Sequence, residues 1–287
     1  MCRWLAYYGS PILLEELVYR PEDSLIDQSR QARLGVETLN GDGVGVGWYP
    51  DPPVSADGAP ALYRSTIPAW SDTNLKDLAH NVSSPLFFAH IRASTGTPVQ
   101  QTNCHPFRHG RWLWMHNGLI NGYARLKRDL LLALEPARLE DVEGSTDSEL
   151  MFHLALGFGL EDDPPMAVAR MICAVEETAQ RHGVADAMQM TVATTDGERM
   201  WVFRYSTEGR SRTLFFSTAP ETLKRMYPDD VRLADLSPES RIVVSEPLSS
   251  LEGAWNEVPE GSCGVIQPGR DELTPLQPYL DRARARS

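Results

Sequence analysis

The chain has 287 residues, 42% of them hydrophobic and 23% charged, with 27 basic against 39 acidic residues and a net charge of -12. It is too long and too apolar to be disordered, and four cysteines are too few for a disulfide scaffold. The acidic balance argues against a nucleic-acid partner and against an anionic membrane surface, both of which ask for basic residues.

Targeting signals are not evident. The longest apolar run, near Leu150–Leu160, is interrupted by His153, whereas a bilayer needs about 20 apolar residues. Glu15 and Glu16 fall where the apolar region of a signal peptide would run. The expected location is therefore cytoplasmic, with Cys2, Cys104, Cys173 and Cys263 reduced and none in a CxxC pair.

In chain order, strands are predicted at Arg3–Tyr8, Val44–Tyr49, Leu62–Arg64, Leu86–Arg92 and Arg111–His116. Helices follow at Tyr123–Leu134, with Asn121 as N-cap, at Ser148–Leu160, and at Pro165–His182, which opens on prolines and ends at Gly183. An earlier helix is predicted over Thr73–Val82. Strands resume at Gln189–Thr195, Arg199–Tyr205, Thr213–Ser217, Arg241–Ser245 and Cys263–Gln267, with Asp196-Gly197 as a hairpin turn. Strands, then helices, then strands again predict an α+β fold in which helices cover two antiparallel sheets. Nothing reads as a linker. Residues 1–268 are expected as one domain, and 269–287, polar and ending in alternating Arg, as a C-terminal tail or surface helix.

The most informative residue is Cys2. A small residue after Met1 permits removal of the initiator methionine, which would leave Cys2 with a free α-amine beside its thiol. A thiol attacks as thiolate, with an ordinary pKa of about 8.5. An α-amine, at about 7.7–8.0, is partly unprotonated at neutral pH and can serve as its base. Alone, a cysteine at this position is more often an accident of sequence.

Other segments bear on that reading. Asn40-Gly41-Asp42-Gly43-Val44-Gly45-Val46-Gly47 contains no GxGxxG window and leads into a strand. Glycine at every second residue instead predicts a strand face stripped for close approach. Arg92, in His90-Ile91-Arg92-Ala93-Ser94-Thr95-Gly96, can clamp a carboxylate, although an isolated Arg is more often in a surface ion pair. Asn117 and Gly118, after His116, offer an amide and an approachable backbone N–H for an oxyanion, or else a plain Asn-Gly turn. In Gly144-Ser145-Thr146-Asp147-Ser148-Glu149, Thr146 and Glu149 form a capping box; Asp147 either favours the helix dipole or binds an ammonium. His90, Cys104, His105, His109 and His116 offer a metal site or a Cys104/His dyad. They lack CxxC and HExxH spacing, so no metal is assigned.

Together and in this order, these segments resemble the class II glutamine amidotransferases of the N-terminal nucleophile hydrolase superfamily. The resemblance is strongest over Met1–Glu149 and fades after about Leu160. It is closest to the stand-alone branch, similar to the amidotransferase-like subunit of a glutathione-degradation system and to the ergothioneine-pathway amidohydrolase. Arg20–Ile26, Gln28-Ser29, Pro68-Ala69-Trp70 and Thr102–Phe107 carry that similarity.

The resemblance implies a four-layer αββα sandwich and an amidohydrolase that cleaves a γ-glutamyl amide through a γ-glutamyl thioester. It implies Cys2 as nucleophile with its α-amine as base, Asn117 and Gly118 as oxyanion hole, Arg92 on the α-carboxylate and Asp147 on the α-ammonium. Asn40, Asp42 and His105 are implied to shape the pocket, the first two by positioning the Cys2 amine. One departure stands out. Many relatives continue Arg-Trp-Ala-Thr-His-Gly, and Arg92-Ala93-Ser94-Thr95-Gly96 lacks that histidine. No organic cofactor is implied. The expected partner is a small γ-glutamyl compound, and the alternative is a γ-glutamyl-binding subunit active only with a partner protein, a peptidase or a synthase.

Overall fold

The computed structural model describes residues 2–34, 39–94, 96–230, 233 and 236–285. Met1 and Thr95 of the motifs above lie outside these residues.

The N-terminal half runs β1 (Arg3–Leu13), α1 (Glu15–Val18), α2 (Leu25–Arg30), β2 (Val44–Trp48), β3 (Ala61–Ser65), α3 (Thr73–Asn81) and β4 (Ser83–Ile91). Next come β5 (Phe107–His109), β6 (Trp112–Ile120), α4 (Tyr123–Leu132), α5 (Pro136–Leu139), α6 (Asp147–Gly157) and α7 (Pro164–Arg181). The chain closes with β7 (Met188–Thr195), β8 (Met200–Ser206), β9 (Phe215–Ser217), α8 (Pro220–Met226), β10 (Arg241–Val244), β11 (Trp255–Glu257), β12 (Ser262–Gln267), β13 (Arg270–Pro275) and α9 (Gln277–Arg284).

Among the described residues, the strands form two sheets, ordered β11-β9-β10-β1-β4-β2-β3 and β13-β12-β8-β7-β6-β5. Every pairing is antiparallel. Strand alternation explains the layers, because successive side chains point to opposite faces. Leu5 and Tyr7 of β1 and Phe87, Ala89 and Ile91 of β4 pack on the outer side, with Leu17, Leu25 and Leu75 from α1, α2 and α3. Trp4, Ala6, Leu86 and Phe88 face inward and meet Leu113, Met115, Ala193 and Val202 of the second sheet. The opposite parity, Trp112, Trp114, Val192 and Phe203, packs outward against α4, α6, α7 and α9. The result is helix, sheet, sheet, helix.

Local chemistry sets the ends. Asp72 caps α3 by accepting from the Leu75 N–H at 3.0 Å. Asp163 caps α7, whose first residue is Pro164, and Gly183 follows its end with positive φ. The Asp196–Arg199 loop joins β7 to β8 as predicted.

Three expectations need correction. Asn121 is not the cap of α4; Gly122, in the left-handed region, takes that place. β6 runs on to Ile120, so Asn117 and Gly118 lie inside a strand and not in a turn after it. Residues 270–284 are no tail, and the alternative of a surface helix holds only for α9, which buries Leu280 and Ala283 against the α7 side of the core; before it, β13 pairs along the whole of β12. The apolar residues that do this are few and spaced among charges, which hides the amphipathic pattern.

Candidate active site

Cys2 precedes β1 in the parity of Trp4 and Ala6, which turns it toward the second sheet. β4 pairs beside β1 with Arg3 opposite Ile91, so the residues after Ile91 lie level with Cys2. The thiol donates to the Ala93 carbonyl at 3.6 Å. Burial pushes this thiol up. The Ala93 bond and the Arg92 guanidinium oppose that, and the Asp147 carboxylate adds to it. One cation and one anion, from different segments, thus act on the same sulfur.

Arg92 is buried, and its guanidinium is gripped by hydroxyls. It donates to Thr97 Oγ1 at 2.6 Å, Ser94 Oγ at 3.2 Å and the Asp42 carbonyl at 3.4 Å. The Arg92 N–H donates to Gly43 O at 2.8 Å, and Asp42 returns a bond to Arg92 O at 3.0 Å. The Asp42 carboxylate accepts from the Ser94 N–H at 2.7 Å and so braces the turn after Arg92. Asn40 is fully buried. Its Nδ2 donates to Gln28 O at 3.3 Å, and its Oδ1 has no partner among the described residues.

The alternating glycines do what their spacing predicts. A Cβ on Gly45 would overlap the His105 carbonyl oxygen, and one on Gly47 would lie 2.8 Å from Pro106 and 2.9 Å from Leu113. The bare face of β2 therefore admits the 103–107 segment. His105 stacks on His90, centroids 4.1 Å apart, and tilts against Phe107 at 4.5 Å. Burial holds His105 well below the usual imidazole range and His90 down at about 3, so both are neutral packing groups. The Cys104 thiol is buried, donates to Ser65 O at 3.4 Å, and is pushed up by burial. Among the described residues, no group of three or more His, Cys, Asp or Glu is placed to hold a metal ion.

Asn117 pairs with Thr191 and Gly118 with Met190. Thr191 Oγ1 donates to Asn117 O at 3.3 Å and accepts from Trp4 Nε1 at 3.2 Å, a bridge through β7 from β6 to the strand that follows Cys2. A Cβ on Gly118 would overlap Gln189 O and come within 2.6 Å of His116 Nε2, so only glycine fits. Asp147 is the first residue of α6. Its Oδ2 accepts from the Ile120 N–H and its Oδ1 from the Ser148 N–H, both at 2.8 Å. Thr146 caps the helix at Glu149 N, but Glu149 does not reach back to it. Its carboxylate takes the N–H groups of Glu143 and Gly144 at 2.9 and 2.8 Å. Asn103 Oδ1 accepts from Ser145 N at 2.8 Å and pins the same loop.

The structure thus brings Cys2, Arg92 and Asp147 together, keeps Asn117 and Gly118 on the strand tied to β1, and leaves His105 behind them as packing. Sequence reasoning passed over Thr97 and Ser148. Their signal was a hydroxyl beside each charged residue, too common a pattern to single out.

Comparison with known proteins extends this. The model of the family "Glutamine amidotransferases class-II" matches residues 24–286, so the likeness continues well past Leu160. The probable glutamine amidotransferase DUG3 of Saccharomyces cerevisiae is 35% identical over 308 residues, covering 98% of this chain and 85% of that protein. The gamma-glutamyl-hercynylcysteine sulfoxide hydrolase of Mycolicibacterium smegmatis is 27% identical over 96% of this chain and 100% of its own. A glutamine aminotransferase class-II domain protein from Silicibacter pomeroyi superposes with TM-score 0.69 at 32% identity, covering 96% of this chain and 99% of that one. The glutamine phosphoribosylpyrophosphate amidotransferase of Bacillus subtilis shares the fold, with TM-score 0.63 at 14% identity, over 96% of this chain and 49% of that one. The chain belongs to the class-II glutamine amidotransferases, an enzyme family, and folds as a four-layer αββα sandwich.

Proposed function

We propose that this enzyme hydrolyses the γ-glutamyl amide bond of a small γ-glutamyl compound through a thioester on Cys2. The carrying observation is the placement of Arg92 and Asp147 about one thiol, a cation and an anion suited to the two ends of an amino-acid head. After removal of Met1, the Cys2 α-amine takes the thiol proton and the thiolate attacks the γ-carbonyl. Asn117 Nδ2 and the Gly118 N–H stabilise the oxyanion. The amine then gives its proton to the leaving nitrogen, and water cleaves the thioester to release glutamate and restore the thiol. Asn40 and Asp42 support the turn beside the amine.

Likeness to a relative favours an amino acid, peptide or thiol conjugate as leaving group over ammonia. The Mycolicibacterium relative is named for a γ-glutamyl substrate of this class.

The test is turnover of a panel of γ-glutamyl amides, including glutamine and glutathione, by the parent enzyme and Cys2→Ala. The expected result is loss of all turnover in Cys2→Ala. Full turnover by that variant contradicts the proposal. A parent chain that binds γ-glutamyl ligands but turns none over until a peptidase is added shifts the assignment to a partner-dependent subunit.

A further inference from the structure

Asp147 is not held by backbone alone. Ser148 Oγ lies 3.3 Å from Asp147 Oδ1 and 2.8 Å from His116 Nδ1. The far side of that imidazole, Nε2, is 3.4 Å from Gln189 O and sits where a side chain on Gly118 would be, 2.6 Å from its would-be Cβ. Ser148 and His116 are both buried. One imidazole is therefore wedged between the residue assigned to the oxyanion and the hydroxyl beside the residue assigned to the ammonium.

The protons can be counted. A neutral imidazole carries one N–H and a serine one O–H. Burial favours the neutral ring of His116, against a pull from Asp147. If Ser148 donates to His116, its lone pairs face the Asp147 carboxylate. If His116 Nδ1–H donates to Ser148, the hydroxyl proton is free for Asp147 Oδ1, a charge-assisted bond and the stronger choice. The Nε2 contact given up is the longest of the set.

We propose that Ser148 and His116 are positioning residues for the α-ammonium subsite, acting through the chain His116 Nδ1–H to Ser148 Oγ–H to Asp147 Oδ1. The chain fixes the carboxylate in the orientation that receives the ammonium, and the ring packed on Gly118 ties that orientation to the oxyanion hole. This rests on the assignment of Asp147 proposed above.

The test compares γ-glutamyl para-nitroanilide with glutaryl para-nitroanilide, which differs only in lacking the α-ammonium. The readout is the ratio of their kcat/KM values on one protein sample, so a loss of folded protein cancels. The parent should prefer the γ-glutamyl compound, and Asp147→Asn should abolish the preference. Ser148→Ala should reduce it about tenfold, chiefly through KM, the scale of one long bond to a charged group. Ser148→Thr, which keeps the hydroxyl, should restore it. A parent without preference, or an unchanged preference in Asp147→Asn, overturns the Asp147 assignment and this inference with it. A collapsed preference in Asp147→Asn with a parent-like ratio in Ser148→Ala overturns this inference alone.

Discussion

At Cys2 the opposing charges give predictions with a definite sign. Burial raises the thiol, Arg92 lowers it and Asp147 raises it. Arg92→Gln should therefore shift the pH profile of Cys2 alkylation by iodoacetamide to higher pH, and Asp147→Asn should shift it to lower pH. Movement of both variants in one direction would contradict the arrangement. On the proposed mechanism, in which Asn117 is an oxyanion donor and not a packing group, Asn117→Ala should lower kcat by about 10²–10³ with little change in melting temperature. A kcat within a factor of two of the parent would remove Asn117 from the mechanism. At this scale the sequence singled out Cys2, Arg92 and Asp147, which the fold sets about one thiol, and Asn117 and Gly118, which lie in β6; each is ordinary alone, and it was their order along the chain that marked them. Thr97 and Ser148 were not singled out, since a hydroxyl contact depends on a geometry that only folding supplies.

Elements carry the second set of arguments. β2 is the clearest, because its glycines at 45 and 47, and Gly43 just before it, have no reason in a free-standing strand. They make sense only when another segment presses against that face, and the segment is 103–107. Gly45→Ala should cost about 1–3 kcal/mol through overpacking against the His105 carbonyl, read as a lower urea midpoint at unchanged m-value. A parent-like midpoint would mean that the two segments separate freely. The end of β6 was misread for a physical reason: Asn-Gly is a turn signal in isolation, and here continuous pairing with β7, Asn117 opposite Thr191 and Gly118 opposite Met190, outweighs it. Short elements such as α1, α2, β5 and β11 escaped the sequence because three to six residues carry too little periodicity.

For the whole molecule, the layered core was predictable from strands flanking a helical middle, and the closing of the second sheet was not. Deleting residues 269–287 should prevent stable folding. It strips β13 from the length of β12 and uncovers the surface that Leu276, Leu280 and Ala283 bury, with each leucine worth about 1.5–3 kcal/mol. The check is far-ultraviolet circular dichroism with a melting curve. A cooperative transition at the parent temperature would show that the segment is dispensable. The acidic net charge of -12 has no visible counterpart in the proposed chemistry, which would rest on one buried cation and one carboxylate.

The central claim is that residue 2 becomes a working N-terminal nucleophile in a pocket that reads a glutamyl head. Intact mass of the purified protein, before and after incubation with a glutamine-derived diazo-ketone, tests it most directly. The account predicts loss of Met1 and a single adduct, located on Cys2 by peptide mapping. A retained Met1, or a processed chain that stays unlabelled, would contradict it.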